Sequence, residues 1–142
     1  MSNIDPGNTQ ALSEASREHL RAVREQLLHL HKAVLDVERA SYEKVNGRVT
    51  NPHELLQLVM RDPWFGWFRP LSDLVVQIDE MLDSEELVTE GDAEVLLREV
   101  RSLLNPAEEG EEFGEKYHQI LQKDPGVILA HAEISKLLQP KG

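Results

Sequence analysis

The sequence contains no cysteine, few aromatic residues and no long apolar run. Without cysteine, a disulfide framework, a thiolate metal site and a cysteine nucleophile are excluded. No uncharged apolar stretch approaches the roughly 18 to 20 residues that span a bilayer, so no membrane association is expected. The first ten residues are polar and lack the positive charge of a signal peptide, which predicts a cytoplasmic location.

Basic side chains are also fewer than acidic ones. The 142 residues include 15 Lys and Arg against 26 Asp and Glu, a net charge of -11 at pH 7. That sign opposes binding to phosphate backbones and to anionic lipid, so nucleic acid and membrane surfaces are not expected partners. The length is typical of one domain with one hydrophobic core.

Apolar residues recur at helical spacing, and no segment alternates with the period of two that marks a strand, which predicts an all-α protein. The first such segment runs from residue 12 to Asn46 without Pro or Gly, and Gly47 follows as its end signal. Its length predicts a helix of roughly 50 Å. The apolar positions are Leu20, Val23, Leu27, Leu30, Val34 and Val37.

Capping signals divide the rest of the chain into shorter helices. Asn51-Pro52, Asp62-Pro63 and Asp124-Pro125 each combine a capping side chain with a proline at the first helical position, and Thr89 begins a capping box. These signals predict a single up-and-down bundle of four main helices, with one or two short additional helices, over residues 12–138. Residues 1–11 are predicted to be a disordered lead-in, and residues 139–142 a tail.

Pro70 lies inside the apolar pattern that follows Pro63. A proline there removes a backbone bond to the carbonyl of Gly66, four residues earlier. The pattern is compatible with one kinked helix and with two helices that break between Phe68 and Pro70.

Both tryptophans and two of the three phenylalanines lie within five positions. Exposed aromatic patches mark binding surfaces, so this segment is a candidate partner or ligand surface. The structural alternative is that the rings close one end of the bundle. The candidate residues are Trp64, Phe65, Trp67, Phe68 and Arg69.

Histidines and carboxylates near the apolar stripes suggest a second kind of site. A ferritin-type centre needs two Glu-x-x-His pairs, and the chain has one, at Glu115 and His118. His31 borders an apolar stripe and has Glu38 two turns further on, Asp79 lies on the flank of another stripe, and these three residues complete the candidate set for iron, manganese or zinc. The structural alternative is that these histidines are hydrogen-bonded core residues, in which case no cofactor is expected.

No hydrolase nucleophile elbow, phosphate-binding glycine loop or zinc-protease pattern occurs in the sequence, so nothing in it points to an enzyme. The prediction is a non-catalytic interaction or regulatory bundle, with self-association as one form of that interaction. The alternative is a metal- or small-ligand-binding bundle of hemerythrin or ferritin type.

Several strings between residues 27 and 138 resemble a family of small uncharacterised bacterial all-helical proteins with no assigned activity. The strings are Leu30-His31-Lys32, Asp62-Pro63-Trp64-Phe65, Arg69-Pro70-Leu71-Ser72 and Tyr117-His118. The resemblance implies a bacterial, cytoplasmic protein with an all-helical fold. It transfers no functional residues.

Overall fold

A computed structural model describes residues 9–105 and 112–139, which form seven helices. Within those ranges the only strand-like pairing is a single bridge between Ala11 and Thr89. The all-α prediction and the long first helix are confirmed. The helices are α1 (Glu14–Asn46), α2 (Pro52–Arg61), α3 (Pro63–Gly66), α4 (Arg69–Asp83), α5 (Glu90–Leu104), α6 (Glu112–Lys123) and α7 (Pro125–Leu138).

Three helices begin with the same local device. The side chains of Asn51, Asp62 and Asp124 each accept a hydrogen bond from a backbone N–H of the first turn, and a proline follows each of them. This arrangement satisfies an amide that has no partner within the helix. At the other end of α1, Gly47 adopts a φ of 88°, which ends the helix without the steric cost that a side chain would bring.

The core lies along the first two thirds of α1. Leu20, Val23, Leu27, Leu30 and Val34 are fully buried there, and α4 and α7 are the helices that cover most of this stripe. Fully burying one such side chain stabilises the fold by about 1.5–3 kcal/mol. Among the described residues, α2 is the one helix of more than a single turn that contributes no buried side chain.

The helix directions follow from contacts between side chains. Arg17 reaches Leu82, Arg24 reaches Asp79 and His31 reaches Ser72, so α4 runs antiparallel to α1. The start of α5 lies beside the start of α1, and α6 and α7 form a hairpin joined at Asp124.

The apolar pattern after Pro63 is interrupted at Trp67 and Phe68, so it forms two helices. Pro70 is the second residue of α4, where a backbone N–H would have no acceptor within the helix. Leu71 N donates to Phe68 O at 3.0 Å and starts the new helix. Pro70 therefore lies in the first turn of α4 and costs no bond to Gly66.

The described part of the predicted lead-in is paired with the start of α5. Leu12 N donates to Val88 O at 2.9 Å, and Glu90 N donates to Gln10 O at 2.8 Å. The Glu90 carboxylate in turn accepts hydrogen bonds from Ser13 N and Ser16 Oγ, both at 2.7 Å. The prediction of a disordered lead-in for residues 1–8, and of a tail at residues 140–142, lies outside the described residues.

Candidate functional site

A polar ladder runs along the seam between α1 and α4. Its members on α1 are Arg17, Arg24 and His31, seven residues apart. The Arg17 guanidinium donates to the Leu82 carbonyl, and Arg24 forms a salt bridge with Asp79. Because seven residues return to the same face of a helix, the ladder fixes the register of α1 against α4.

His31 forms the third contact of this ladder, a hydrogen bond with Ser72 of α4. The His31 Nε2 and Ser72 Oγ atoms are 2.7 Å apart, and the edge of the imidazole meets the Phe68 ring. Burial lowers the pKa of His31, so its imidazole is neutral at pH 7. Within residues 9–105 and 112–139 no carboxylate hydrogen-bonds His31, so Ser72 lacks the third group that orients the base of an activated nucleophile.

The candidate metal ligands are not brought together. His31 and Asp79 have the separate partners Ser72 and Arg24. His118 is exposed and hydrogen-bonds Gln122 at 2.9 Å, and Glu115 is exposed on the same helix. Glu38 is half-buried two turns beyond His31. No group of three or more metal-ligating side chains occurs in the described part of the chain.

The candidate aromatic surface lies mostly in the core. Phe65, Trp67 and Phe68 are at least 96% buried, since their exposed fractions are 1%, 4% and 0%. Trp67 packs between Phe68 and Phe113, with ring centroids 5.4 and 5.6 Å apart. These three rings close the end of the bundle and are not available to a partner in the folded chain.

The two remaining candidates of this segment stay accessible. Trp64 is half-buried with its ring against Tyr42, at a centroid distance of 5.6 Å. Arg69 is exposed and donates to the carbonyl of Met60 at 2.8 Å. Both lie beside α2, so the accessible part of the predicted surface adjoins that helix.

A second hydrogen bond to a histidine, between Tyr117 and His131, joins α6 to α7. The Tyr117 hydroxyl and His131 Nδ1 are 2.6 Å apart. Burial raises the pKa of Tyr117 and lowers that of His131, so at pH 7 the phenol donates and the neutral imidazole accepts. Beside it lies a cleft of about 270 Å³, and there the Arg101 guanidinium donates to the last carbonyl of α7, at Leu138. In that contact Arg101 caps a helix end, as basic side chains near a C-terminus do.

An accessible apolar surface lies on residues 36–61, which we call the arm; the sequence analysis did not single out its α2 part. The arm comprises the end of α1, its turn and α2. Val45, Leu56 and Met60 are 71%, 54% and 57% exposed. The available signal was the run of five apolar residues within 55–60, which exceeds what one buried face of a short helix needs.

The arm has an ordered turn at its centre. The Arg39 guanidinium donates to Val49 O at 2.5 Å, and Val49 N donates to the Glu43 carboxylate at 2.7 Å. The Val49 side chain is 2% exposed. These contacts order the turn that precedes α2, and α2 itself packs against α3, with Leu58 and Val59 partly buried on the core.

Charge is distributed very unevenly over the chain. Residues 62–123 carry sixteen acidic and five basic side chains, whereas the remaining residues carry ten of each. The arm itself has four of each sign. The acidic character therefore belongs to α3 through α6, and the arm is neutral overall.

Comparison with known proteins gives no further guide, since no protein-family model, curated protein or solved structure matches the chain. In the described part, no helix is long and apolar enough to cross a membrane. The function must therefore be inferred from the arrangement of the residues.

Proposed function

We propose that the protein is a non-catalytic interaction protein that forms a homodimer through the arm. The observation that carries this proposal is that α2 has no fully buried residue: Leu58 and Val59 pack partly against the core, but Leu56 and Met60 remain 54% and 57% exposed. An exposed apolar face on a helix is typical of a surface that a partner covers.

Charge supports a second copy as that partner. Two copies that met through α4 to α6 would bring their acidic sides together, and like charges oppose association. The arm has equal numbers of acidic and basic side chains, so it can face its own copy without that repulsion. A symmetric contact would place Leu56 and Met60 of one subunit against the same arm of the other.

The cytoplasm is the proposed location, supported by the lack of cysteine. A bacterial origin is part of the same proposal and rests on the resemblance of the sequence strings alone. The net negative charge favours a protein partner over a nucleic acid.

Sedimentation equilibrium over a range of concentrations tests the dimer. Leu56→Glu places a charge in the arm, and Val76→Glu is its matched control because Val76 on α4 is 52% exposed. We expect a dimer whose dissociation constant rises roughly tenfold or more in Leu56→Glu, as for a residue at the centre of an interface. A monomer at all concentrations, or equal effects of both variants, would refute the proposal.

The metal-binding alternative has its own test. Elemental analysis of protein purified without chelator would support it if iron, manganese or zinc were present at one equivalent or more per chain. Substoichiometric metal would count against it.

A further inference from the structure

A groove between α4 and α5 combines an apolar floor with acidic edges. Its volume is about 440 Å³. The floor consists of Met81 from α4, Val88 from the connecting turn, and Val95 and Leu96 from α5. Glu80 stands on the α4 edge and Glu99 on the α5 edge. The arm contributes no residue to this groove, so it is separate from the proposed dimer contact.

The groove lies in the most acidic part of the described chain. Residues 77–99 carry nine acidic side chains and one basic side chain. Some of these carboxylates have partners inside the fold: Asp79 pairs with Arg24, Glu90 with Ser13 and Ser16, and Asp92 with Thr89 N. Glu80 and Glu99 are exposed and form no salt bridge with any other described residue.

Hydrogen bonds in the turn between α4 and α5 order one end of the groove. Leu12 N donates to Val88 O at 2.9 Å and fixes one end of the floor. In the same turn, Glu86 N donates to Ser84 Oγ at 3.1 Å. A surface that is already ordered loses little conformational freedom when a partner binds, which favours binding.

We propose that this groove binds a basic amphipathic helix of another protein. The apolar face of that helix would cover Met81 and Val95, which lie over the buried Leu96, and lysine or arginine side chains on its flanks would meet Glu80 and Glu99. The groove residues run from Gln77 to Ser84, the C-cap of α4, and from Asp92 to Glu99 on α5, which is seven residue steps in each case. That span is about 10 Å, or two helical turns of the partner.

Other occupants fit the groove less well. A second copy of this chain carries a net charge of -11, and its acidic side would be repelled by Glu80 and Glu99 at the edges of the groove. A polycation without apolar side chains would neutralise the carboxylates but leave the floor in contact with water. The short contact predicts a weak, transient complex, as is usual for small interfaces.

Fluorescence anisotropy with a labelled synthetic peptide tests this inference. The probe is an amphipathic peptide of leucine and lysine about 14 residues long, or about four helical turns. One comparison peptide has the same composition in a scrambled order, and another has serine in place of leucine. We expect saturable binding of the amphipathic peptide, and binding at least roughly tenfold weaker for both comparison peptides.

Two matched variants locate the contact. Glu80→Lys changes the α4 edge of the groove, and Glu25→Lys makes the same charge change at an exposed position of α1 outside the groove. We expect roughly tenfold weaker binding for Glu80→Lys, and for Glu25→Lys a loss of no more than about threefold from the change in net charge. Val95→Ser, which alters the floor without changing charge, should also weaken binding.

Three results would overturn the proposal. They are the absence of saturable binding, equal binding of the scrambled or serine peptide, and equal losses in Glu80→Lys and Glu25→Lys. The assay is run on the full chain together with sedimentation of the same sample. A monomer that still binds the peptide would refute the dimer and support the peptide-binding groove. A dimer that does not bind the peptide would support the dimer and refute the groove.

Discussion

The two ends of α1 share one helix but differ in what surrounds them. Between Leu20 and Val34, every apolar residue on the inner face is fully buried against α4 and α7. Beyond Val34 no side chain of α1 is fully buried, and Val45 is 71% exposed. The first part of the apolar stripe of α1 therefore forms the core, and its last part belongs to the arm.

The aromatic segment gives the sharpest test of this division. Phe68 belongs to the packed bundle, whereas Trp64 faces Tyr42 of the arm. We expect Phe68→Ala to lower the free energy of unfolding by about 3–5 kcal/mol, because it leaves a cavity in a dense core. Trp64→Ala should cost clearly less, since part of that ring is already in water. Urea denaturation followed by circular dichroism measures both, and equal losses would contradict the division.

A second pair of variants compares the two ends of α1 directly. Leu30→Ala removes a fully buried side chain and should cost about 2–5 kcal/mol of unfolding free energy. Val45→Ala should stay within about 0.5 kcal/mol, as exposed substitutions usually do. The unfolding free energies are measured by urea denaturation at protein concentrations where the chain is monomeric. A loss in Val45→Ala as large as that in Leu30→Ala would show that the arm is packed in the monomer.

The two partly buried histidines, His31 and His131, predict that stability depends on pH in the packed part. Burial lowers the pKa of His31 and of His131, so the unfolded chain takes up protons first as the pH falls below about 6.5. Their contribution to stability is complete above that pH and is lost as the pH falls through the lowered values. We expect His31→Gln to flatten the decline of unfolding free energy between pH 7 and pH 5, and the double variant with His131→Gln to flatten it further. A decline unchanged in both variants would contradict the assignment.

Pro70 lies at the border of the two regions, and its replacement is expected to have a small effect on stability. Because it is the second residue of α4, Pro70→Ala restores no internal helix bond. We expect a loss of less than about 1 kcal/mol, from the greater freedom of the unfolded chain. Tryptophan emission should be unchanged, because Pro70 is exposed and the helix break does not depend on it. A shifted emission spectrum would show that the proline positions Trp64 or Trp67.

The sequence predicted the helices well because the signals that start and end a helix act over only a few residues. Caps such as Asn51, Asp62 and Asp124 act within one turn, so their chemistry can be recognised from three or four letters of sequence. The spacing of the apolar residues also identified the inner face of α1. It did not predict where that face stops being covered, since coverage depends on the lengths and positions of α4 and α7.

The site residues were harder because their partners are distant in the chain. His31 and Asp79 adjoin the buried residues Leu30 and Ile78 in the chain, but their partners Ser72 and Arg24 lie 41 and 55 positions away. The aromatic string was compatible with a core and with a surface. Only the packing of Phe113 and Tyr42 against it decides which rings are accessible.

The pairing of the first described residues with the start of α5 bears on the order of folding. The hydrogen bond from Ser13 N to Glu90 joins residues 77 positions apart. Closing a loop of that size costs about 4 kcal/mol of chain entropy, before any constant term. These contacts should therefore form after α1, α4 and α5 have docked, and be the first to open. Rapid amide exchange at Leu12 and Glu90, compared with Val23 in the core, would report such an opening. The pairing of residues 10–16 with the start of α5 would then be the last step in forming the bundle.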